Sequence, residues 1–221
     1  MMIISLSQAA RISGAVQTGR ADYVETLVKA ALASGIPAEE ILQEGLLEGM
    51  RQLGVKFSKN EAYVPEVLVA ARALNRGVGA LRPFLISSGA RPVGKAMLAT
   101  VKGDMHDVGK NLVAIMLAGA GFEVIDLGVD VPASAVVDAV RQYRPHIVAL
   151  SALLSVTMLE MGEVIKALEA AGLRETVKVM VGGAPVTQAF CDHINADAFA
   201  PDAARGAKIA AMLVQTFRIG V

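Results

Sequence analysis

The sequence Ala-Met-Leu-Ala-Thr-Val at residues 96–101 is followed by Lys-Gly-Asp-Met-His-Asp-Val-Gly-Lys-Asn at residues 102–111 and then by an apolar-rich run at residues 112–120. The first run is short and apolar, as in a buried strand, whereas the third has the spacing of an amphipathic helix. The polar stretch between them is therefore predicted to be a strand-to-helix loop. Loops of this kind carry functional residues more often than the elements they join.

Asp104 and His106 are the residues of this loop that suggest chemistry. A carboxylate that accepts a hydrogen bond from one ring nitrogen leaves the other nitrogen free, more basic and directed at a metal. Gly109, three positions further on, permits close approach of a bulky ligand. The same pair also occurs as an ordinary surface contact, so these residues alone leave both interpretations open.

Composition restricts the class of protein. The 221 residues suffice for one large domain or two small ones. The chain is 54% hydrophobic with a mean hydropathy of +0.51. Because no apolar run reaches the roughly 18 residues of a membrane span, this hydrophobicity indicates a parallel sheet covered on both faces. The 21 basic and 21 acidic residues balance, which favours neither nucleic acid nor an anionic membrane as a partner.

Two further features concern the compartment. The first residues lack the basic region and long apolar core of a signal peptide. The single cysteine, Cys191, excludes an internal disulfide framework and fits a reducing environment. A cytoplasmic location is therefore expected.

Residues 1–86 contain four segments of helical period, at 7–16, 22–33, 37–53 and 65–81, and no convincing strand. Short connections between them predict an all-α four-helix bundle. The turn before the last segment ends at Tyr63, and this aromatic side chain fits either the core of the bundle or a surface facing a ligand.

Residues 83–94 are rich in proline, glycine and serine, which indicates a linker. Beyond it, predicted strands at 96–101, 122–126, 147–150, 177–181 and 197–200 alternate with amphipathic helices. This alternation predicts an α/β, doubly wound, flavodoxin-like parallel sheet. The expected organisation is a helical domain at 1–86, a linker at 87–94 and an α/β domain at 95–221.

In such sheets ligands bind at the carboxyl ends of the strands, where the strand order reverses. The loop after the first strand carries Asp104 and His106, the loop after the third carries Ser151 to Thr157, and Gly182-Gly183 follows the fourth. We expect these loops to converge on one edge of the sheet. A dinucleotide fingerprint after the first strand, a phosphate-binding loop and paired cysteines are all missing. A single imidazole suits a metal whose other positions are filled by a macrocycle.

The pattern Asp104-x-His106-x-x-Gly109, with Ser151-x-Leu153 and Gly182-Gly183 at these separations, strongly resembles the cobalamin-binding domain. The segments at 54–57, 63–67 and 70–74 are similar to the last helices of the cap that precedes this domain in corrinoid methyltransfer proteins. The resemblance covers nearly the whole chain. It is greatest to the carrier subunits of methanol, methylamine and methoxyarene methyltransferase systems and to the matching part of methionine synthase.

The resemblance implies that cobalamin is bound with its lower base displaced by His106, the metal ligand, and that Asp104 is the hydrogen-bonded partner of this imidazole. The hydroxyl that completes the relay falls by position on Thr157, whose extra methyl group is a departure from the family. Ser151 and Ser155 would meet the displaced nucleotide tail. The other implied cofactor contacts are Gly103, Met105, Asp107, Val108, Gly109, Leu153, Gly182, Gly183, Phe199, Asp202 and Ala203, with Tyr63 and Val67 over the upper face.

The same resemblance implies a methyl carrier that uses methylcobalamin or a related corrinoid. It would accept a methyl group from a substrate-specific methyltransferase and pass it to a second methyltransferase with a folate or thiol acceptor. Such a chain has no substrate pocket of its own and is not expected to be catalytic alone. A corrinoid reductase or activase is a further expected partner, whereas nucleic acid and membrane are not.

Three other functions are compatible with parts of the sequence. A cobalamin-dependent sensor or regulator pairs a helical bundle with this domain, but this chain has no tryptophan, no basic run and no residues for a DNA-binding module. The small subunit of an adenosylcobalamin mutase resembles only the second half and lacks the cap. A flavodoxin-like domain without cobalt would leave the three matching loops as coincidence.

Overall fold

The computed structural model describes residues 2–88 and 92–219, and the chain divides into two compact units, Met1–Arg91 and Pro92–Val221. The helices of the first unit are α1 Met2–Gln17, α2 Ala21–Ala33, α3 Ala38–Glu40, a π-helical segment Ile41–Leu47, α4 Glu48–Ser58 and α5 Val64–Ser88. Because α3, the π-helical segment and α4 are continuous, the described part of this unit consists of four helical rods. These rods correspond to the four predicted segments.

Helical periodicity explains the core of the first unit. On α2 the buried residues Val24, Leu27, Val28 and Ala31 recur at intervals of three and four. Close approach of α1 to the third rod depends on Gly49, since a β-carbon there would lie 2.7 Å from the main-chain oxygen of Ser13.

The predicted linker begins too early. Helix α5 continues through Pro83 to Ser88, so residues 83–88 are helical. A proline removes one intrahelical hydrogen bond and usually marks a helix end. Here α5 continues despite the missing hydrogen bond. Residues 89–91, which also belong to the predicted linker, lie outside the described residues.

The second unit is a five-stranded parallel sheet in the order β2-β1-β3-β4-β5. Its strands are β1 Lys95–Thr100, β2 Glu123–Asp126, β3 Ile147–Ser151, β4 Lys178–Gly182 and β5 Ala198–Ala200. Its helices are α6 Val108–Gly119, α7 Ala133–Tyr143, α8 Glu160–Ala170, a 3₁₀ turn Arg174–Thr176, α9 Gln188–His193 and α10 Ala203–Ile219. The doubly wound, flavodoxin-like sheet predicted from the sequence is confirmed.

Alternation along the strands divides the core of this unit into two faces. Met97, Val148 and Val179 pair across the sheet and pack with residues of α7 and α8. Their neighbours Leu98 and Met180 lie on the opposite face, in contact with a cleft beside α6 and α10. The carboxyl ends of β1 and β3 are adjacent, and this is the edge at which the strand order reverses. Within the described part of the chain, no helix combines the length and the apolar character needed to cross a membrane.

Candidate functional site

The loop after β1 is a tight structure closed by its own hydrogen bonds. The main-chain N–H of Asp104 donates to the oxygen of Val101 at 3.1 Å, and Gly103 has a φ of +78° that glycine adopts without strain. The hydroxyl of the buried Thr100 donates to the main-chain oxygen of His106 at 3.1 Å. These contacts place His106 directly beyond the end of β1.

Five hydrogen-bond donors converge on the carboxylate of Asp104, whose residue has 0% of its surface exposed. Oδ1 accepts from the main-chain N–H of His106 at 3.0 Å and from its ring Nδ1 at 2.7 Å. Oδ2 accepts from the N–H groups of Leu153 at 2.7 Å and Leu154 at 3.3 Å. The hydroxyl of Thr157 donates to Oδ2 at 2.6 Å. The loop after β3 therefore holds one carboxylate oxygen while His106 occupies the other.

These donors determine the charge of the site. Burial raises the pKa of Asp104, but the hydrogen bonds from Thr157, Leu153 and His106 outweigh it and hold that pKa well below its usual range. Asp104 is therefore a carboxylate at neutral pH and can only accept hydrogen bonds. It follows that Nδ1 of His106 carries a proton, so that in the neutral imidazole Nε2 presents a lone pair.

The imidazole of His106 is open to a ligand. Its side chain is 51% exposed, and Nε2 has no hydrogen-bond partner among the described residues. Residues 2–88 and 92–219 contain no cluster of three or more His, Cys, Asp or Glu side chains able to hold a metal ion. A metal bound to Nε2 would therefore need further ligands from outside such a cluster of side chains.

An apolar cleft of about 440 Å³ lies in the second unit, lined in part by Gly109 and Lys110 in the first turn of the helix that follows this loop. Its walls come from the ends of β3 and β4, from α6, and from the segment between β5 and α10. Of the residues predicted from the sequence, Gly109, Ser151, Gly182, Gly183, Phe199, Asp202 and Ala203 line it. Cavities of this size accommodate cofactor fragments and small ligands.

At two glycines of this cleft, the main chain lies in close contact with the main chain of a neighbouring segment. Gly183 has a φ of +127°, and a β-carbon there would lie 1.9 Å from the main-chain oxygen of Ala152. A β-carbon on Gly182 would lie 2.9 Å from the oxygen of Ala200. Gly109 differs, since nothing lies within 4 Å of the position of its absent β-carbon. The space at Gly109 is therefore free for a ligand.

The other predicted residues of the second unit lie in the loops after β1 and β3 and in the first residues of α6. Met105, Val108 and Leu153 are large apolar residues with exposed surface. Asp107, at the start of α6, accepts from Asn111 Nδ2 at 3.1 Å, and Ser155 is exposed. Exposed apolar side chains that lie together mark a surface that a ligand or a partner can cover.

Tyr63 and Val67 belong to the first unit and differ in accessibility. Tyr63 is 69% exposed, whereas Val67 is 0% exposed and is part of the packed interior. Val67 thus presents no surface to a ligand in this structure, because it lies on the buried side of α5. Its predicted role over the upper face of the corrin has no support from this placement.

Strand β2 and the segment after it also contribute to the site, which the sequence alone does not indicate. Lys110, 3% exposed, forms an ion pair with Asp126 at the end of β2 and donates to Asn111 Oδ1 at 2.9 Å. Oδ1 of Asp130 accepts from the N–H of Gly103 at 2.7 Å. A lysine in an apolar helix was the available signal for the first contact, but no local pattern indicated the second.

The chain is similar to known cobalamin-binding proteins in both sequence and fold. Two family models, each described as a B12 binding domain, match residues 94–207 and residues 8–82. The chain belongs to the B12-binding corrinoid proteins. The trimethylamine corrinoid protein of Methanosarcina barkeri is 41% identical over 184 residues, which cover 82% of this chain and 85% of that protein.

Two solved structures are similar to this corrinoid protein over most of its length. A cobalamin-binding protein from Desulfitobacterium hafniense DCB-2 has 35% identity and a TM-score of 0.77, covering 92% of this chain and 97% of the other. A chain of the methanol:cobalamin methyltransferase complex of Methanosarcina barkeri has 28% identity and a TM-score of 0.84, covering 95% and 80%. The predicted membership of the corrinoid proteins of methyltransferase systems is confirmed, and cobalamin is the cofactor.

The residues present fit this cofactor. The corrin ring occupies four positions of cobalt, so one protein nitrogen is a sufficient contribution. His106 would offer that nitrogen, and unfilled space at Gly109 follows three residues later in the sequence.

Proposed function

We propose that this corrinoid protein binds cobalamin in the base-off, His-on form and carries a methyl group between two methyltransferases. The observation that carries the proposal is the imidazole of His106, oriented by a buried carboxylate and free at Nε2, in a loop that leads into a helix lining an apolar cleft. When bound, cobalamin supplies a cobalt atom that can accept and release a methyl group.

In this proposal Asp104 and Thr157 orient the ligand. The 2.7 Å contact between Oδ1 and Nδ1 fixes both the tautomer and the ring plane of His106. The hydroxyl of Thr157 has two acceptors within reach, Asp104 Oδ2 at 2.6 Å and the oxygen of Leu154 at 3.0 Å. Its single proton is directed to the carboxylate, since the bond to a charged acceptor is the stronger one. Threonine thus provides the relay hydroxyl expected from the family despite its extra methyl group.

The cleft would hold the displaced base of the cofactor. It is lined mainly by apolar side chains and by glycine backbone, and among the described residues of this lining Ser151, at the end of β3, is the one that carries a hydroxyl group. Such walls suit a flat aromatic base, because burial of apolar surface supplies the binding energy and few hydrogen bonds are required. Ser155, which is exposed outside this lining, is proposed to meet the tail nearer to the corrin.

A methylamine is the proposed methyl source, and the support is the name and 41% identity of the trimethylamine corrinoid protein. The likeness to a chain of a methanol:cobalamin methyltransferase complex supports a substrate-specific methyltransferase as the first partner. An acceptor methyltransferase with a folate or thiol acceptor and a reductive activase complete the proposed set. The match of a B12-binding model to residues 8–82 disfavours a mutase small subunit, which lacks such a region.

The assignment of the first 86 residues as a cap over the cofactor, with Tyr63 shielding the methyl group, stays a prediction from the resemblance. The exposure of Tyr63 is compatible with it. Replacement of Tyr63 by Ala in the methylated holoprotein should accelerate loss of the methyl group by reaction with water or by photolysis. An unchanged rate would contradict this role.

Cofactor binding is tested by loading purified chains with hydroxocobalamin, desalting them and recording visible spectra. Wild type should retain a stoichiometric corrinoid with a histidine-ligated spectrum, and His106→Ala should lose that signature. His193→Ala, at an exposed histidine of α9, is the matched control and should behave as wild type. A His106→Ala spectrum identical to that of wild type would overturn the ligand assignment.

The carrier role is tested separately with the holoprotein reduced in the presence of trimethylamine. Methylation of the corrinoid should require an added methylamine methyltransferase. Demethylation of trimethylamine by the isolated chain would contradict the proposal that catalysis on the donor belongs to a partner.

A further inference from the structure

The segment between β2 and α7 runs beside the loop that carries His106. The N–H of Thr100 donates to the oxygen of Gly128, and the N–H of Val131 donates to the oxygen of Thr100, both at 3.0 Å. Val101 and Val131 form a parallel bridge. The backbone of β1 is thus extended by contacts with residues 128–131 just before it turns towards His106.

Asp130 makes two contacts with that turn. Its Oδ1 accepts from the N–H of Gly103 at 2.7 Å, and its own N–H donates to the main-chain oxygen of Asp104 at 3.0 Å. The side chain and the main chain of one residue therefore hold two successive residues of the loop. No other side chain among the described residues accepts a hydrogen bond from the Gly103 N–H.

The backbone of Asp130 is itself constrained. Its φ of +53° is in the left-handed region, which is uncommon for residues other than glycine and in which asparagine and aspartate are enriched. A residue held in this conformation costs free energy and persists where surrounding contacts require it. Here the contacts with Gly103 and Asp104 are those that the conformation makes possible.

Asp104 is consequently fixed from both sides. Its carboxylate is held by the loop after β3 through Leu153 and Thr157, and its carbonyl is held by the segment after β2 through Asp130. We propose that Asp130 is a positioning residue for the cobalt ligand: by holding the Gly103-Asp104 dipeptide at its first N–H and its last C=O, it sets the distance between the Asp104 carboxylate and the His106 imidazole.

This inference rests on the proposed function for its consequence, namely tighter corrinoid binding through His106. The clamp itself is a property of the chain without cofactor. Both Asp130 and the Gly103 N–H reach solvent, so water can replace the lost acceptor in a variant. The expected effect is therefore a loss of order in the loop.

Three substitutions separate the acceptor from the backbone conformation. Asp130→Asn keeps an acceptor oxygen and tolerates positive φ, Asp130→Gly keeps the conformation without the acceptor, and Asp130→Ala keeps neither. In the apoprotein, amide hydrogen exchange of Gly103 should accelerate about tenfold in the Gly and Ala variants and be restored by Asn, because one hydrogen bond contributes about a factor of ten. The ¹⁵N chemical shift of His106 Nδ1 should likewise differ from wild type in the Gly and Ala variants and return to the wild-type value in the Asn variant.

Corrinoid binding provides the second measurement. The Kd for hydroxocobalamin should rise about 3- to 10-fold in Asp130→Gly and stay near the wild-type value in Asp130→Asn, by the same hydrogen-bond estimate. The clamp would be overturned if Asp130→Gly showed the same Gly103 amide exchange rate, the same His106 Nδ1 chemical shift and the same Kd as wild type. If wild type retains no corrinoid but Gly103 exchange and the Nδ1 shift still respond, the proposed function fails while the clamp stands.

Discussion

Replacement of Asp104 by asparagine should both destabilise the protein and move the proton on His106. The carboxylate accepts at both oxygens, from His106 on one side and from Leu153, Leu154 and Thr157 on the other. Asparagine has one acceptor oxygen and one donor amide group, so it cannot satisfy both sides.

The more favourable orientation directs the asparagine oxygen to Leu153 and Thr157. Its amide group then faces the main-chain N–H of His106, and a partly buried donor without an acceptor costs about 1–3 kcal/mol. The bonds that remain change from charge-assisted to neutral and lose about 1 kcal/mol each. We therefore expect the free energy of unfolding to fall by about 3–5 kcal/mol, which is a large part of the stability of a typical domain.

The same orientation changes the tautomer of His106. Nδ1 must accept from the new amide group, so the ring proton moves to Nε2 and the lone pair that would bind cobalt is lost. Urea unfolding of the apoprotein measures the first effect, and ¹H–¹⁵N correlation spectra of the imidazole measure the second.

Asp107→Asn is the matched control, because Asp107 is exposed and accepts one side-chain hydrogen bond, from Asn111. It should change the free energy of unfolding by less than about 0.5 kcal/mol. The reasoning is refuted if Asp104→Asn is as stable as this control, or if its His106 keeps the proton on Nδ1.

Other outcomes follow from the same contacts. The folded-state pKa of Asp104 lies below that of the unfolded chain, so its ionised form stabilises the fold above about pH 5. This contribution is lost as pH falls through about 4 and below. The free energy of unfolding measured across that range should therefore fall more steeply for wild type than for Asp104→Asn. Thr157→Val should cost about 1–2 kcal/mol in urea unfolding by removing the hydroxyl donor, and Thr157→Ser should restore most of it. Gly183→Ala should abolish or severely weaken folding because its β-carbon meets the Ala152 oxygen at 1.9 Å. Gly109→Ala, with open space around it, should unfold like wild type yet bind hydroxocobalamin more weakly; equal affinity would argue against a ligand beside Gly109.

The strand-to-helix loop could be predicted because local patterns specify it. Continuous apolar runs mark the strands, and the parallel order brings their carboxyl ends to one edge whatever the details of packing. The 2.6 Å contact between Thr157 and Asp104 follows from that convergence, although the residues are far apart in sequence.

The remaining contacts could not be read from local patterns. The proline, glycine and serine content predicts a linker from residue 83, whereas α5 continues through Pro83 to Ser88 despite the hydrogen bond that a proline removes. The burial of Val67 depends on which side of α5 faces the core. Asp130 contacts Gly103 because residues 128–131 continue beside β1 beyond the last strand pairing, and the left-handed backbone that makes this contact possible has no distinct sequence signature.

The central claim is that His106 binds cobalt in place of the corrinoid's own base. It is tested most directly by electron paramagnetic resonance of the Co(II) holoprotein, prepared with natural-abundance histidine and again with ¹⁵N-histidine. Axial nitrogen splits each cobalt line into a triplet for ¹⁴N and a doublet for ¹⁵N. We predict that the triplets become doublets on labelling and disappear in His106→Ala. Triplets unchanged by ¹⁵N-histidine would show that the axial nitrogen comes from the cofactor and would contradict the account.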